Sequence, residues 1–403
     1  MKILMVNKFL YPKGGAETYC LEVGKKLEEL GNEVEYFGMY DEKNTVKNNL
    51  NIYSNNLDFH TKKLNKIFYP FKIIYSFEAK KKINKVIKDF KPDIIHLNNI
   101  NFQLTPSIID CAYKNKIPVV QTVHDYQMIC PNHFLYNFSQ KQMCERCIKG
   151  SKWNCTKYKC IHNSKLRSIL GSLEGILYSK VLSSYDKVSL YICPSKFLES
   201  ELLKVDRYKE KTTFITNFID VKDVSDISKK EDYILYFGRL SEEKGINELI
   251  EAVKKLPNIK LKIAGTGPLE DKVKNIDNID FVGFKTGEEL TELISRAKFA
   301  VYPSIWYENC PLSILEAQSS GTPVLTANYG GMKELVEQNE TGILLESINI
   351  KTLKEEIAKL YEDDEKLKEM SKKCLEKRQE MLNLDKYVST LLEKYKGVIN
   401  NAN

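Results

Sequence analysis

Short apolar runs recur along the chain, separated by longer stretches in which apolar residues return every three or four positions. Lys2–Val6, Glu33–Phe37, Ile94–Leu97 and residues 119–123 are runs of strand length. Residues 17–30 carry the helical spacing and stop at Gly31, a residue suited to the left-handed turn that ends a helix. A further short strand lies within 185–194, ending at Cys193-Pro194-Ser195-Lys196. A segment from Phe214 to Asp220, followed by a charged run to Asp232, reads as an interdomain connection. The pattern then restarts. Strands are predicted at 233–237, 260–264, 279–282, 300–304 and 324–327, and helices at 246–256, 287–297 and 312–320. Residues 384–398 form a last amphipathic helix. Strands separated by helices predict an α/β chain with parallel sheets and right-handed crossovers.

Ligands on such sheets bind where the strands end, so residues following predicted strands are the candidates for chemistry. After the first strand comes Lys13-Gly14-Gly15, where the paired glycines let a backbone approach a phosphate or simply make a turn. Asn98-Asn99 follows the third strand, and His124-Asp125 follows the fourth. His124 is one of only five histidines, and its place at a strand end sets a functional role against that of an ordinary structural histidine. In the second half, Gly238, Arg239, Lys244 and Gly245 follow one strand and Gly265-Thr266-Gly267-Pro268 follows the next. A guanidinium fork and an ammonium point charge together suit a diphosphate; the plain alternative is two solvated cations. Gly265-Thr266-Gly267 is too short for a dinucleotide fingerprint.

The strongest motif runs from Tyr307-Glu308-Asn309-Cys310-Pro311-Leu312 to Glu316, with Gly321-Thr322-Pro323-Val324 beyond. Glu308 falls in a strand-to-helix loop. Asn309, Cys310 and Pro311 fall at a helix N-terminus, and Glu316 lies two turns further on the same side. Free N–H groups and the positive dipole end suit a phosphate. A proline at the first turn costs little, because its missing N–H has no helical partner. A carboxylate at each end could hold hydroxyls on either side of the phosphates; two solvated glutamates are the plain alternative.

Length bounds the organisation: 403 residues favour two domains over one core. The apolar fraction of 42% and charged fraction of 29% are those of an ordinary globular protein. No apolar run reaches the eighteen or so residues of a spanning helix, and Met1 to Val6 is too short for a signal-peptide core. A cytoplasmic protein is expected. The net charge of +7 permits an anionic partner without demanding one. Residues 61–91 concentrate ten lysines among Ile67, Phe68, Tyr69, Phe71, Ile73, Ile74, Tyr75 and Phe77. That mixture suits either contact with an anionic membrane at its inner face or a solvated lysine face over a core stripe. No nucleic-acid motif supports RNA binding.

Half of the ten cysteines, Cys130, Cys144, Cys147, Cys155 and Cys160, fall within thirty-one residues, with His133 and His162 nearby. Cys144-Glu145-Arg146-Cys147 is a Cys-x-x-Cys knuckle. In a reducing compartment such clustering points to metal before disulfide. Cys144, Cys147, Cys155 and Cys160 are therefore the candidate ligands of a structural zinc, with Cys130 or a histidine able to replace one. An iron–sulfur cluster, a redox dithiol, and free or paired thiols stay open.

Taken together, Gly14-Gly15-Ala16-Glu17, Gly238-Arg239 with Lys244-Gly245, Gly265-Thr266-Gly267-Pro268, and Glu308-x7-Glu316 with Gly321-Thr322-Pro323-Val324 resemble the retaining nucleotide-sugar glycosyltransferases of family 4. The resemblance spans nearly the whole chain. His124-Asp125-Tyr126 and the cysteine cluster look like a bacterial polysaccharide subset. The resemblance implies the GT-B fold: two facing Rossmann-like domains with a central cleft, and a terminal helix crossing back. The expected boundaries are 1–197, with a cysteine-rich insertion at about 130–162, then 198–380, then 381–403. It implies that Arg239 and Lys244 bind the donor diphosphate and Glu316 the ribose. Glu308 would contact the donor sugar, with the Asn309, Cys310, Pro311 and Leu312 backbone near sugar and phosphates. Gly14, Gly15, Gly238 and Gly265 would face the nucleotide, and His124 the transferring sugar. The catalytic set is then His124, Arg239, Lys244 and Glu308.

The implied reaction is retaining transfer of a hexose or N-acetylhexosamine, from a UDP-sugar or next a GDP-mannose, to a glycan or lipid-linked acceptor in cell-surface polysaccharide synthesis. No Asp-x-Asp sits at a suitable strand end, so no catalytic metal or other cofactor is expected. A nucleotide-sugar epimerase and a non-catalytic nucleotide- or zinc-binding adaptor are the competing readings.

Overall fold

A computed structural model describes residues 1–46, 48–56, 69–219, 230–381 and 383–402. The chain divides into two compact units, Met1–Thr216 with Asp385–Asn403, and Asn217–Leu384. Each is built on its own parallel sheet.

In the first unit the strands are β1 (Lys2–Val6), β2 (Glu33–Phe37), β3 (Ile94–Leu97) and β4 (Val119–Thr122). A two-stranded ribbon of β5 (Tyr136–Asn137) and β6 (Gln142–Met143) follows, then β7 (Leu190–Cys193) and β8 (Thr212–Phe214). The six-stranded sheet has the order β2-β1-β3-β4-β7-β8, with every pairing parallel. β1, β3 and β4 are near-continuous runs of buried residues, the signature of strands covered on both faces. The unit continues past residue 197 to Thr216, because β8 pairs with β7 as an edge strand. Phe214, read from the sequence as the start of a connection, is therefore sheet.

The second unit holds β9 (Ile234–Phe237), β10 (Leu261–Ala264), β11 (Ile279–Gly283), β12 (Ala300–Tyr302), β13 (Val324–Ala327) and β14 (Gly342–Leu345). Their order is β11-β10-β9-β12-β13-β14. A single core runs through β9, β10, β12 and β13 and the flanking helices Ile246–Val253, Leu312–Ser319 and Ile350–Tyr361.

Both sheets share one logic. Each starts in the middle, builds outward on one side, then crosses to the other. In the first unit the crossing lies between β1 and β3; in the second it lies between β9 and β12. At such a reversal the loops leave in opposite directions and open a crevice at the strand ends.

The C-terminal helix, Leu384–Ala402, packs with the first unit from Asp385 onward. Tyr387, Val388, Leu391 and Tyr395 are buried on it, at the spacing of one helical face. Lys26 pairs with Asp385 at 2.5 Å. Among the described residues, no helix is long and apolar enough to cross a membrane.

Candidate functional site

In the second unit the reversal between β9 and β12 gathers the predicted residues. Gly238 and Arg239 leave β9, Gly265 leaves the neighbouring β10, and the segment from Pro303 to Leu312 leaves β12. The loops are interlocked through backbone. Gly238 N–H donates to the Ala264 carbonyl at 3.0 Å and Leu240 N–H to the Thr266 carbonyl at 2.9 Å. Gly265 has φ +141°, and a Cβ there would lie 1.9 Å from the Gly238 carbonyl oxygen. Gly245, φ +72°, would place a Cβ 1.8 Å from the Pro303 oxygen. These two glycines are thus fixed by close backbone approach.

Lys244 and Glu308 meet directly. Glu308 Oε1 accepts from Lys244 Nζ at 2.5 Å, Ser304 Oγ at 2.6 Å and Trp306 Nε1 at 2.9 Å. The carboxylate is buried and the ammonium half-buried. With three donors on one oxygen, Glu308 is poorly suited to act as a nucleophile and well suited to orient the lysine. Its main chain is also clamped: Gly331 N–H donates to the Glu308 carbonyl at 2.7 Å. Gly330 packs with φ +64° against that same oxygen. Ser304, Trp306, Gly330 and Gly331 were not read as site residues from the sequence. The one available signal was that Gly330-Gly331, like Gly14-Gly15, is a glycine pair just past a strand.

Arg239 is exposed, and its side chain has no hydrogen-bond partner among the described residues. Pro311 caps the Leu312–Ser319 helix without a side-chain acceptor, which leaves first-turn N–H groups available. Asn309 is buried, and Cys310 half-buried. Glu316, half-buried on that helix, has no hydrogen-bond partner at its carboxylate among the described residues, and burial pushes its carboxyl up to about 7. A desolvated carboxylate without donors is a site awaiting them, and ribose hydroxyls are donors.

In the first unit, Gly14 and Gly15 are exposed at the start of the Gly15–Glu29 helix, whose N-terminus has no side-chain cap. Behind them, burial raises the pKa of Glu17 while Lys8 and Lys13 oppose the shift. His124 follows β4, half-buried, with Nε2 3.0 Å from Asn98 Oδ1. Burial pushes its imidazole down to about 4, against the pull of Asp125, so the ring is neutral at pH 7. With Asn98 Oδ1 facing it, Nε2 carries the proton and Nδ1 is left as an acceptor. Asp125 accepts from Asn101 Nδ2 at 2.7 Å.

The cysteines are only partly collected. Cys147, Cys155 and Cys160 are buried in one cluster with Tyr158 and Ile161 against them. Cys130 is buried and its thiol donates to Asn132 Oδ1 at 2.8 Å. Cys144 is half-buried and accepts an N–H from Arg146 at 3.6 Å. Burial pushes Cys130 up to about 11 and Cys147 up to about 12. Among the described residues, no group of three or more His, Cys, Asp or Glu side chains is arranged to hold a metal ion. Of the lysine-rich stretch, residues 61–68 lie outside the described residues.

Two parallel-sheet α/β units, with cations and carboxylates at a strand reversal, have the architecture of the GT-B fold. The chain belongs to glycosyltransferase family 4, whose profile matches residues 13–223, and the profile for glycosyl transferases group 1 matches residues 217–377. A relative from Klebsiella pneumoniae, an uncharacterized 42.6 kDa protein in the cps region, is 26% identical over 83% of this chain and 87% of its own. The putative colanic acid biosynthesis glycosyltransferase WcaL of Escherichia coli is 26% identical over 40% of this chain and 44% of its own. The Anabaena protein HepE, solved in complex with UDP, superposes with TM-score 0.69 and 19% identity over 98% of this chain and 100% of its own.

Proposed function

We propose that this protein transfers a hexose or N-acetylhexosamine from a UDP-sugar, with retention of anomeric configuration, to a glycan or lipid-linked acceptor in cell-surface polysaccharide synthesis. The observation that carries the donor assignment is Glu316: a carboxylate without donors on the helix whose uncapped N-terminus follows the Lys244–Glu308 pair. Ribose hydroxyls would supply the donors that the carboxylate lacks. Arg239 and Lys244, with the Leu312 helix amides, take the diphosphate. The kinship with WcaL supports a polysaccharide product, and HepE's complex with UDP supports the base.

In the proposed reaction the bond between the anomeric carbon and the phosphate oxygen breaks, and its electrons pass to the diphosphate. The acceptor oxygen bonds the same face of the sugar, and its proton goes to the leaving phosphate. Negative charge grows where Arg239 and Lys244 wait, and preorganised electrostatics of this kind is often the largest catalytic term. Glu308 holds Lys244 and faces the sugar with its second oxygen. His124 acts on the transferring sugar as a neutral ring. No protein nucleophile and no metal take part in these steps.

The test is thermal unfolding with UDP, GDP and ADP, in wild type and Glu316→Ala, followed by transfer assays with the matching sugar nucleotides. A ligand that binds only the folded state raises the melting temperature by mass action. Stabilisation of wild type alone by UDP, with a product of retained configuration, is expected. Stabilisation without consumption of any donor would favour the adaptor reading, and isomerisation without transfer the epimerase.

The protein is further proposed to work at the cytoplasmic face of an anionic membrane. Phe77 is 77% exposed, Leu166 68% and Val181 68%, and each stands in sequence beside lysine or arginine: Lys80 and Lys81, Lys165 and Arg167, and Lys180. Binding to anionic but not neutral liposomes at low salt is expected. The zinc reading of the thiol cluster rests on the packing of Cys147, Cys155 and Cys160. Elemental analysis of purified wild type and Cys147→Ser decides it.

A further inference from the structure

Behind His124 lies a run of buried polar side chains that the reaction itself does not use. Tyr19, on the Gly15–Glu29 helix, sets its ring edge-on to the His124 imidazole, with centroids 5.1 Å apart and planes at 68°. Its hydroxyl lies 2.9 Å from Thr122 Oγ1 and 2.6 Å from the Tyr387 hydroxyl. Thr122 Oγ1 is also 2.8 Å from His96 Nε2, and His96 Nδ1 is 2.5 Å from the Tyr395 hydroxyl. All five side chains are buried. The run begins and ends on the C-terminal helix, whose Tyr387 and Tyr395 are eight residues apart and so share a face.

A proton inventory couples the two bonds of His96. Burial pushes His96 down to about 3, so the ring is neutral and donates from one nitrogen only. If Tyr395 donates to Nδ1, Nε2–H donates to Thr122; if Nδ1 carries the proton instead, it donates to Tyr395 and Nε2 accepts from Thr122. Either way Tyr19 is held at its hydroxyl by two partners, one on β4 and one on the C-terminal helix. Its ring cannot swing without breaking buried hydrogen bonds, each costly to leave unmade. His124 has Asn98 at one nitrogen and this fixed ring at its side.

We propose that Tyr19 is a positioning residue for His124, and that the C-terminal helix sets its position through Tyr387 and through the Tyr395–His96–Thr122 run. This rests on the role given to His124 above. The helix is then part of the working site of the first unit.

The five histidines allow the test by nuclear magnetic resonance of histidine-labelled protein, the His124 ring signal being assigned by its loss in His124→Ala. In Tyr19→Leu the signal should shift and broaden, while kcat falls roughly 10- to 100-fold, the size of effect expected of a misplaced group, with donor KM unchanged. Tyr19→Phe keeps the ring edge and should recover most of the turnover. Tyr387→Phe, which acts through the Tyr19 hydroxyl, should move the His124 signal by a smaller amount. An unmoved signal and wild-type kcat in folded Tyr19→Leu would overturn the proposal. Should Tyr19→Leu not fold, an unmoved signal in both Tyr19→Phe and Tyr387→Phe overturns it equally. If the signal moves in the tyrosine variants but His124→Ala transfers at the wild-type rate, the packing link stands and the assigned role of His124 falls instead.

Discussion

The two units repeat one architecture and equip its strand ends differently. At the β9/β12 reversal the second unit keeps charge: Arg239 exposed, Lys244 tied to Glu308, and Glu316 desolvated without a donor. Near the β1/β3 reversal, in the first unit, the histidines are kept neutral: burial holds His96 near 3 and His124 near 4. A leaving diphosphate needs fixed positive charge, whereas a sugar acquiring positive character is repelled by a second cation. Under the proposed function the same fold would serve both needs through burial and pairing, with the difference in a few residues at or near the strand ends.

The sharpest way to break this contrast is Arg239→Ala. Loss of one preorganised cation should lower kcat about 10²- to 10³-fold, the scale seen when a single transition-state donor is removed. Melting should be unchanged, because the side chain is exposed and partnerless among the described residues. Transfer assays and a thermal melt on the same sample check both halves.

Lys244→Ala should behave differently. It leaves the buried Glu308 without its countercharge, and breaking such a pair costs about 3–5 kcal/mol. Stability and turnover should fall together, as urea unfolding would show. Lys244→Met with Glu308→Gln should recover much of the stability and none of the turnover. Full activity in that double variant would remove the pair from the reaction.

A smaller effect, of opposite sign, is expected at Glu316. Its carboxyl is raised from 4.5 to about 7, so between those values the folded chain holds a proton that the unfolded chain has lost. Stability at this group is present at low pH and declines as pH rises through about 7. Glu316→Gln should therefore stabilise the nucleotide-free protein at pH 8 by about 1–2 kcal/mol, one pKa unit being worth about 1.4 kcal/mol. The same variant should lose stabilisation by UDP.

The first unit should mirror this. His124 and His96 are lowered from 6.5, so the unfolded chain takes up protons below that value and the folded chain does not. Their contribution to stability is present above pH 6.5 and declines towards pH 3–4. Unfolding midpoints followed between about pH 4 and 7 should lose a rise with pH in His124→Ala and a fall with pH in Glu316→Gln.

Much of this was legible in the residues themselves. Apolar runs of strand length placed β1, β2, β3 and β13 to the residue, because strands covered on both faces leave no choice of pattern. Arg239, Lys244, Glu308 and Glu316 stood out by following strands. The three-residue β8 and the two-residue strands of the β5–β6 ribbon did not, because strands so short carry little apolar signal. Nor could spacing reveal that Lys244 and Glu308, sixty-four positions apart, share a hydrogen bond, or that Gly331 clamps the glutamate from beyond the next strand. The cysteines make the same point: spacing grouped Cys144, Cys147, Cys155 and Cys160, and packing buries Cys147, Cys155 and Cys160 together, but among the described residues no such group is arranged to hold a metal ion.

The sequence by itself determined the alternation of elements and the chemistry available at strand ends, since both follow from local periodicity and residue type. Only the tertiary structure decided which charges are paired, which carboxylate is starved of donors, and that tyrosines from the last helix reach Tyr19 and His96. Those properties depend on burial and on contacts between residues distant in the chain, which no local pattern encodes.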